Sequence, residues 1–217
     1  MTMSRKEWPG YIVVEGPIGV GKTTLAARLA ESLGRDLLLE SAADNPFLPR
    51  FYENPRSAAL PTQLHFLFQR ARMLESLRQG DLFRSEQISD FLVQKDELFA
   101  RATLDPNELD LYYEVYNRLA LDSPAPDLVI YLQAPVDVLL KRIFARGVAY
   151  EKRIDEEYLQ RIADAYIEFF YHYTASPLLI VNTMEMNFAD SEPEYGLLLD
   201  RIRDVSVGRH YFNARSL

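Results

Sequence analysis

Gly16, Gly19 and Gly21, followed at once by Lys22 and Thr23, are the residues of this chain whose types and spacing most directly specify chemistry. The run Gly16-Pro17-Ile18-Gly19-Val20-Gly21-Lys22-Thr23-Thr24 fits G-x-x-x-x-G-K-[ST], the phosphate-binding loop. Its glycines let the backbone curl so that N–H groups converge on phosphate oxygens. Lys22 can reach the β- and γ-phosphates, and the Thr23 hydroxyl can ligate Mg2+. The apolar run 11–14 before the loop reads as a buried strand. Leu25, Leu29 and Leu33 behind it share one face of a helix over 23–33, whose N-terminal end favours an anion. A glycine-rich connector is the plainer alternative; the full pattern between strand and helix favours binding of a nucleoside triphosphate. The loop is silent on what receives the phosphate.

Other chemistry-bearing residues depend on the elements that carry them. Residues 36–40 form a short apolar run, read as a second strand with Glu40 at its carboxyl end, where ligands bind in open α/β sheets. The stretch 41–52 mixes turn formers with Phe47, Leu48, Phe51 and Tyr52, so it is either a connector or a segment folded over something. Pro61 can open a helix carrying an apolar stripe of Leu64, Leu67, Phe68, Ala71, Leu74 and Leu77, read as core. Gln63 and Arg70, seven apart, share a face of that helix, which is a solvated polar face unless a ligand lies there. Gly80-Asp81 breaks the helix. A short third strand over 86–89 ends at Asp90, and helices follow over 91–101 and 108–121. The strand signal at 127–132 is strong. The helix over 135–146 stops at Gly147, with Lys141, Arg142 and Arg146 crowding its end. Those cations suit the helix dipole and equally suit a clamp on a transferring phosphoryl group. A long amphipathic helix over 155–173 and a last strand over 178–181 complete the pattern. Residues 182–195 read as irregular, and the tail from 200 as helical at first and then loose. Strands alternating with helices predict a five-stranded parallel sheet flanked by helices.

The chain has 217 residues, 48% hydrophobic and 26% charged, which suits one domain spanning 1–217 with its core at about 11–188. A net charge of −8 argues against a nucleic-acid-binding surface. There is no cysteine, so no disulfide framework or thiol chemistry is expected, and His65, His172 and His210 form no local ligand pattern. No segment approaches the ~20 apolar residues of a membrane span, and no signal core follows the N-terminus, so a cytoplasmic location is the default expectation.

Several of these residues taken together are narrower than a phosphate loop alone. Glu40-x-x-x-x-Asn45-Pro46, Tyr52, Gln63, Arg70, Arg142-x-x-x-Arg146-Gly147 and Glu151 resemble the deoxynucleoside kinase family. Asp44-Asn45-Pro46-Phe47 and the run 177–183 look most like its bacterial deoxyadenosine/deoxyguanosine kinase branch, and the resemblance spans about 11–188. It implies ATP-dependent 5′-phosphorylation of a deoxynucleoside, with a purine preferred, and a homodimer. Glu40 would take the 5′-hydroxyl proton. Tyr52 and Glu151 would bind the sugar 3′-hydroxyl, and Gln63 would read the base edge with Arg70 nearby. Arg142 and Arg146 would belong to a mobile lid over the phosphates. Residues up to Phe188 would lie against the adenine of ATP.

Two departures accompany the resemblance. The family's acid-Arg-Ser triplet corresponds here to the stretch Ile88-Ser89-Asp90-Phe91. In one register Asp90 stands for the acid and Phe91 for the arginine. Asp90 can then hold Mg2+, and Asp96 falls at a base-reading position. In the other register Asp90 replaces the arginine and no acid aligns. The first is favoured because it supplies a metal carboxylate. Val148 stands where relatives carry a further lid arginine, so either Lys141, Lys152 or Arg153 compensates or activity is lower than in the relatives. Two other readings are a nucleoside monophosphate kinase of the thymidylate kinase kind and a non-catalytic nucleotide-binding scaffold. An anionic acceptor needs an extra cation, whereas a carboxylate at Glu40 suits a neutral hydroxyl.

Overall fold

The computed structural model describes residues 8–79, 86–119 and 123–213. The expected break at Gly80-Asp81, the N-terminal residues 1–7 and the end of the 108–121 helix lie outside them. Strand β1 (Tyr11–Glu15) has every side chain buried, as an unbroken apolar run covered on both faces should. It pairs in parallel with β3 (Gln87–Ser89) on one side and β4 (Leu128–Gln133) on the other. Outside these lie β2 (Asp36–Leu38), paired with β3, and β5 (Leu178–Asn182), paired with β4. The chain therefore runs from β1 out to β2, back to β3 and across to β4. The topological switch lies at β1, outside whose carboxyl end a ligand is expected.

The sheet has six strands, in the order β2-β3-β1-β4-β5-β6, instead of the five expected. The additional β6 (Arg209–Asn213) lies parallel to β5 at the edge, with exposed and half-buried residues alternating. Such a strand carries no apolar run, so its sequence looks like a loose tail. Main-chain pairing holds it, and the Arg209 guanidinium donates to the carbonyls of Phe170 (2.9 Å) and Tyr171 (2.7 Å) near the end of helix 156–172.

Helix α1 (Lys22–Leu33) packs Leu25, Ala26, Leu29 and Ala30 inward and ends at Gly34 in the left-handed conformation. α2 (Leu48–Glu53) forms within the stretch expected to be either a connector or a folded-over segment, burying Leu48 and Phe51. α3 (Pro55–Gln79) begins at Pro55, leaving Pro61 inside it rather than at its start. Pro61 cannot donate to the Ser57 carbonyl, and the Arg50 guanidinium lies 3.4 Å from that oxygen instead. The α3 stripe also divides: Leu67, Ala71 and Leu74 are buried, Leu64 is half-buried and Phe68 is exposed. Gln63 and Arg70 are buried, so their face is not solvated.

α4 (Lys95–Thr103) and α5 (Pro106–Leu119) begin a few residues away from their expected starts. α6 (Val136–Arg146) stops at Gly147 (φ 74°) as expected. α7 (Glu156–His172) is capped by Asp155 and buries Leu159, Ile162, Tyr166 and Phe170. α8 (Glu192–Asp204) occupies part of the stretch expected to be irregular. Ser191 caps it and Pro193 sits in its first turn, a start signal that its polar composition obscures. Among the described residues no helix is long and apolar enough to cross a membrane.

The core joins both faces of the sheet to the helices, and the Phe170 ring stacks on Tyr131 at 4.2 Å. Phe170→Ala should lower the unfolding free energy by about 3–5 kcal/mol in a urea titration; a loss below about 1 kcal/mol would show the site to be loosely packed.

Candidate active site

Side chains of interest emerge where the strands end. The loop after β1 carries the glycines, of which Gly16 (φ 148°) and Gly21 (φ 102°) adopt backbone that other residues rarely reach. A Cβ at Gly16 would run into the Leu132 carbonyl, and one at Gly21 would lie 2.9 Å from the Phe188 ring. Lys22 Nζ donates to the carbonyls of Gly16 (2.7 Å) and Pro17 (3.2 Å) within its own loop. Burial, and then the nearby Lys95, lowers its pKa to about 8.

Thr23, next in the loop, donates its hydroxyl to Asp90 Oδ2 (2.6 Å), just past β3. The other Asp90 oxygen accepts the Glu40 backbone N–H at 2.8 Å, tying together the segments after β2 and β3. Glu40 itself sits two residues beyond β2, not at the strand's last position. Its carboxylate pairs with Arg70 from α3 and with Lys95 from α4 (3.0 Å). Arg70 also pairs with Asp96, and Lys95 lies 3.3 Å from Glu15. These groups form a chain of alternating charge, Asp96, Arg70, Glu40, Lys95 and Glu15, all buried except the half-buried Glu40. At its end Glu15 accepts from Gly16 N (2.9 Å), Leu92 N (2.7 Å) and the Tyr166 hydroxyl (2.9 Å). Burial pushes the Glu40 carboxyl up, but Arg70 and Lys95, with Lys22, outweigh it and hold its pKa at about 2.

Two pockets meet at the phosphate loop. The inner one is lined by Glu40, Tyr52, Gln63, Arg70, Asp90, Lys95 and Glu151, with Phe66 and Phe99 as aromatic walls. The outer one is lined by residues 19–24, Arg142, Met186 and Phe188. Gly19, Lys22, Thr23 and Arg146 belong to both. Gln63 donates to the Thr103 hydroxyl at 3.2 Å. Tyr52 stacks on Tyr150, and burial raises its hydroxyl pKa well above the ordinary value. Asp96 lies behind Arg70, fully buried, with Oδ2 lacking a hydrogen-bond partner.

The arginines beyond α6 differ in attachment. Arg142 is fastened to the end of β5 by Thr183 Oγ1 (2.9 Å) and the Thr183 carbonyl (2.5 Å), and lies 3.5 Å from the Val20 carbonyl. Half-exposed Arg146 donates twice to Glu151 Oε2, at 3.0 and 2.6 Å. Lys141 pairs with Asp137 on the surface, Arg153 pairs with Glu53, and Lys152 is exposed. None of these three lines either pocket.

Residues 12–206 match the family model described as deoxynucleoside kinase. The chain belongs to the deoxynucleoside kinase family. Within that family it is 37% identical to a deoxyguanosine kinase of Bacillus subtilis over 157 residues, covering 72% of this chain and 76% of the relative. It is 33% identical to a deoxyguanosine kinase of Lactobacillus johnsonii over 205 residues, covering 88% and 90%. A solved deoxyadenosine kinase from M. mycoides with bound dATP shares the fold at a TM-score of 0.77 and 24% identity, over 90% of this chain and 100% of that one.

Sequence reasoning overlooked Lys95 and Glu15. Glu15 could have been noticed as the one acid ending an otherwise apolar buried strand. Lys95 gives no comparable signal, because a lysine in the first turn of a helix ordinarily faces water. The displaced pKa of Lys22 has a measurable consequence. A phosphate anion should raise it again, so ATP binding should take up protons at about pH 9 and almost none at about pH 7. Calorimetry in buffers of different ionisation enthalpy measures this; no uptake at the higher pH would contradict the environment described for Lys22.

Proposed function

We propose that this chain is an ATP-dependent deoxynucleoside 5′-kinase preferring a purine, working as a single domain in the cytoplasm. The observation that carries the reading is the meeting of two pockets at one phosphate loop, with a half-buried, ionised carboxylate on the inner side. ATP would occupy the outer pocket, its phosphates on the N–H groups of residues 19–24 and its adenine beside Phe188. The nucleoside would occupy the inner pocket. Tyr52 and Glu151 would bind the 3′-hydroxyl, and Gln63 and Arg70 the base edge. The unpartnered oxygen of Asp96 leaves an acceptor beside Arg70. The names of the bacterial relatives support purine preference.

In the reaction the 5′-oxygen bonds to the γ-phosphorus as the bond to the β,γ-bridging oxygen breaks, and ADP leaves. The 5′-hydroxyl proton passes to Glu40. Arg70 and Lys95 keep Glu40 ionised, and a loose transition state asks little activation of the nucleophile. Lys22, Arg142 and Arg146 balance charge on the transferring group.

Thr23 and Asp90 place two hard oxygens side by side at the loop, and these would hold Mg2+. When bound, the ion neutralises phosphate charge. This contact supports the register in which Asp90 stands for the family's acid. Among the described cations lining the inner pocket, Arg70, Lys95 and Arg146 are each paired with a carboxylate, and Lys22 is held by the Gly16 and Pro17 carbonyls in the phosphate loop. That pairing disfavours a monophosphate acceptor. The exposed Phe68 and Leu111 on α3 and α5 support a homodimer through those helices.

Transfer from Mg-ATP should be assayed with deoxyadenosine, deoxyguanosine, deoxycytidine, thymidine, the ribonucleosides and thymidine monophosphate. Purine deoxynucleosides should lead; transfer to the monophosphate alone would move the chain to the monophosphate kinase class, and none at all would favour a binding scaffold. Glu40→Gln should lower kcat by about 10²–10⁴-fold with ATP affinity retained, and an unchanged kcat would remove Glu40 from the base role. Arg70→Ala should reorder the bases; a uniform loss with every nucleoside would contradict base reading.

A further inference from the structure

Lys95 opens α4, yet its side chain is almost wholly buried. A lysine loses much hydration in such a place and is retained there only beside close anions. Its two anions come from different strands: Glu40 beyond β2 (3.0 Å) and Glu15 at the end of β1 (3.3 Å). Glu15 in turn holds the N–H of Gly16, the first residue of the phosphate loop, and the N–H of Leu92 ahead of α4. One ammonium group thus links the carboxylate of the inner pocket to the loop that receives phosphate. Arg70 cannot replace this link, because its guanidinium spans Glu40 and Asp96 and ties the base to the opposite side. Nor can position 91, where Phe91 packs with Leu74 and Val93 in a small apolar cluster. Without Lys95, Glu15 and Glu40 would face each other as like charges, and Glu40 would be held from the Arg70 side alone.

We propose that Lys95 is a positioning residue for phosphoryl transfer, fixing the Glu40 carboxylate relative to the phosphate loop by pairing with both Glu40 and Glu15, which holds the Gly16 N–H. The inference rests on Glu40 as the base. Lys95 itself need touch neither nucleotide nor nucleoside.

The test compares Lys95→Met, Lys95→Arg, Glu40→Gln and the Lys95→Met/Glu40→Gln double variant in the full chain. The readouts are kcat, acceptor KM, the Kd of Mg-ATP and thermal unfolding. Lys95→Met should lower kcat on the order of 10²-fold while Mg-ATP affinity is kept, since a small misplacement of a reacting group suffices for such a loss. Lys95→Arg should recover much of it. In the Glu40→Gln background, Lys95→Met should cost no more than about twofold further, because the group it positions is already disabled. A wild-type kcat in Lys95→Met overturns the proposal. So does the same fold-loss in both backgrounds, which would leave Lys95 structural and Glu40 still the base. A wild-type kcat in Glu40→Gln removes the base reading and this proposal together. Should Lys95→Met fail to fold, Glu15→Gln/Lys95→Met removes the stranded carboxylate and carries the same test: loss of kcat with Mg-ATP bound supports the proposal, and an unchanged kcat overturns it.

Discussion

Glu40 is a carboxylate held between two cations, Arg70 from α3 and Lys95 from α4, in a place where none of the three is well hydrated. Removing water from such groups costs several kcal/mol per ion, on the order of what close opposite charges return. The arrangement therefore persists only if its members are held at short range by something stiffer than themselves. Strand ends and helix starts provide that stiffness. Glu15 ends β1, Glu40 lies just beyond β2, Asp90 follows β3 and pins the Glu40 backbone, and Lys95 and Asp96 open α4. Breaking one pair leaves the other charge buried and unpartnered, so these elements are constrained together.

The topology explains why this happens at β1. Its neighbours β3 and β4 are not consecutive with it, so the chain leaves a crevice at its carboxyl end. The phosphate loop occupies that crevice. Segments after β2 and β3 build the inner side, and segments after β5 build the outer side, where Thr183 fastens Arg142 and the carbonyls of Phe188 and Ala189 accept from Arg28. The two pockets share Gly19, Lys22 and Thr23 of that loop, so molecules bound in them would meet there.

Much of this was legible in the chain because the signals were local. The phosphate loop is contiguous, β1 and β4 are unbroken apolar runs, and Gly34 and Gly147 stop their helices by backbone conformation. What was not legible depends on tertiary pairing. β6 has no pattern of its own beyond alternation and is held at the sheet edge by β5. Pro61 looks like a helix start, but Pro55 supplies one earlier and Arg50 reaches the carbonyl that Pro61 leaves free. Lys95 is buried between Glu40 and Glu15. Its role is set by two carboxylates 55 and 80 positions earlier in the chain, and no local reading of 91–101 contains them.

In the proposed reaction Glu40 and the phosphate loop would face a nucleoside's 5′-hydroxyl across one junction of two pockets. The most direct measurement is the site of phosphorylation, read by 31P NMR of the product formed from Mg-ATP and deoxyguanosine. A phosphorus signal coupled to the two 5′-methylene protons is the result expected. Phosphate on the 3′-oxygen or on the base would contradict that orientation of the nucleoside.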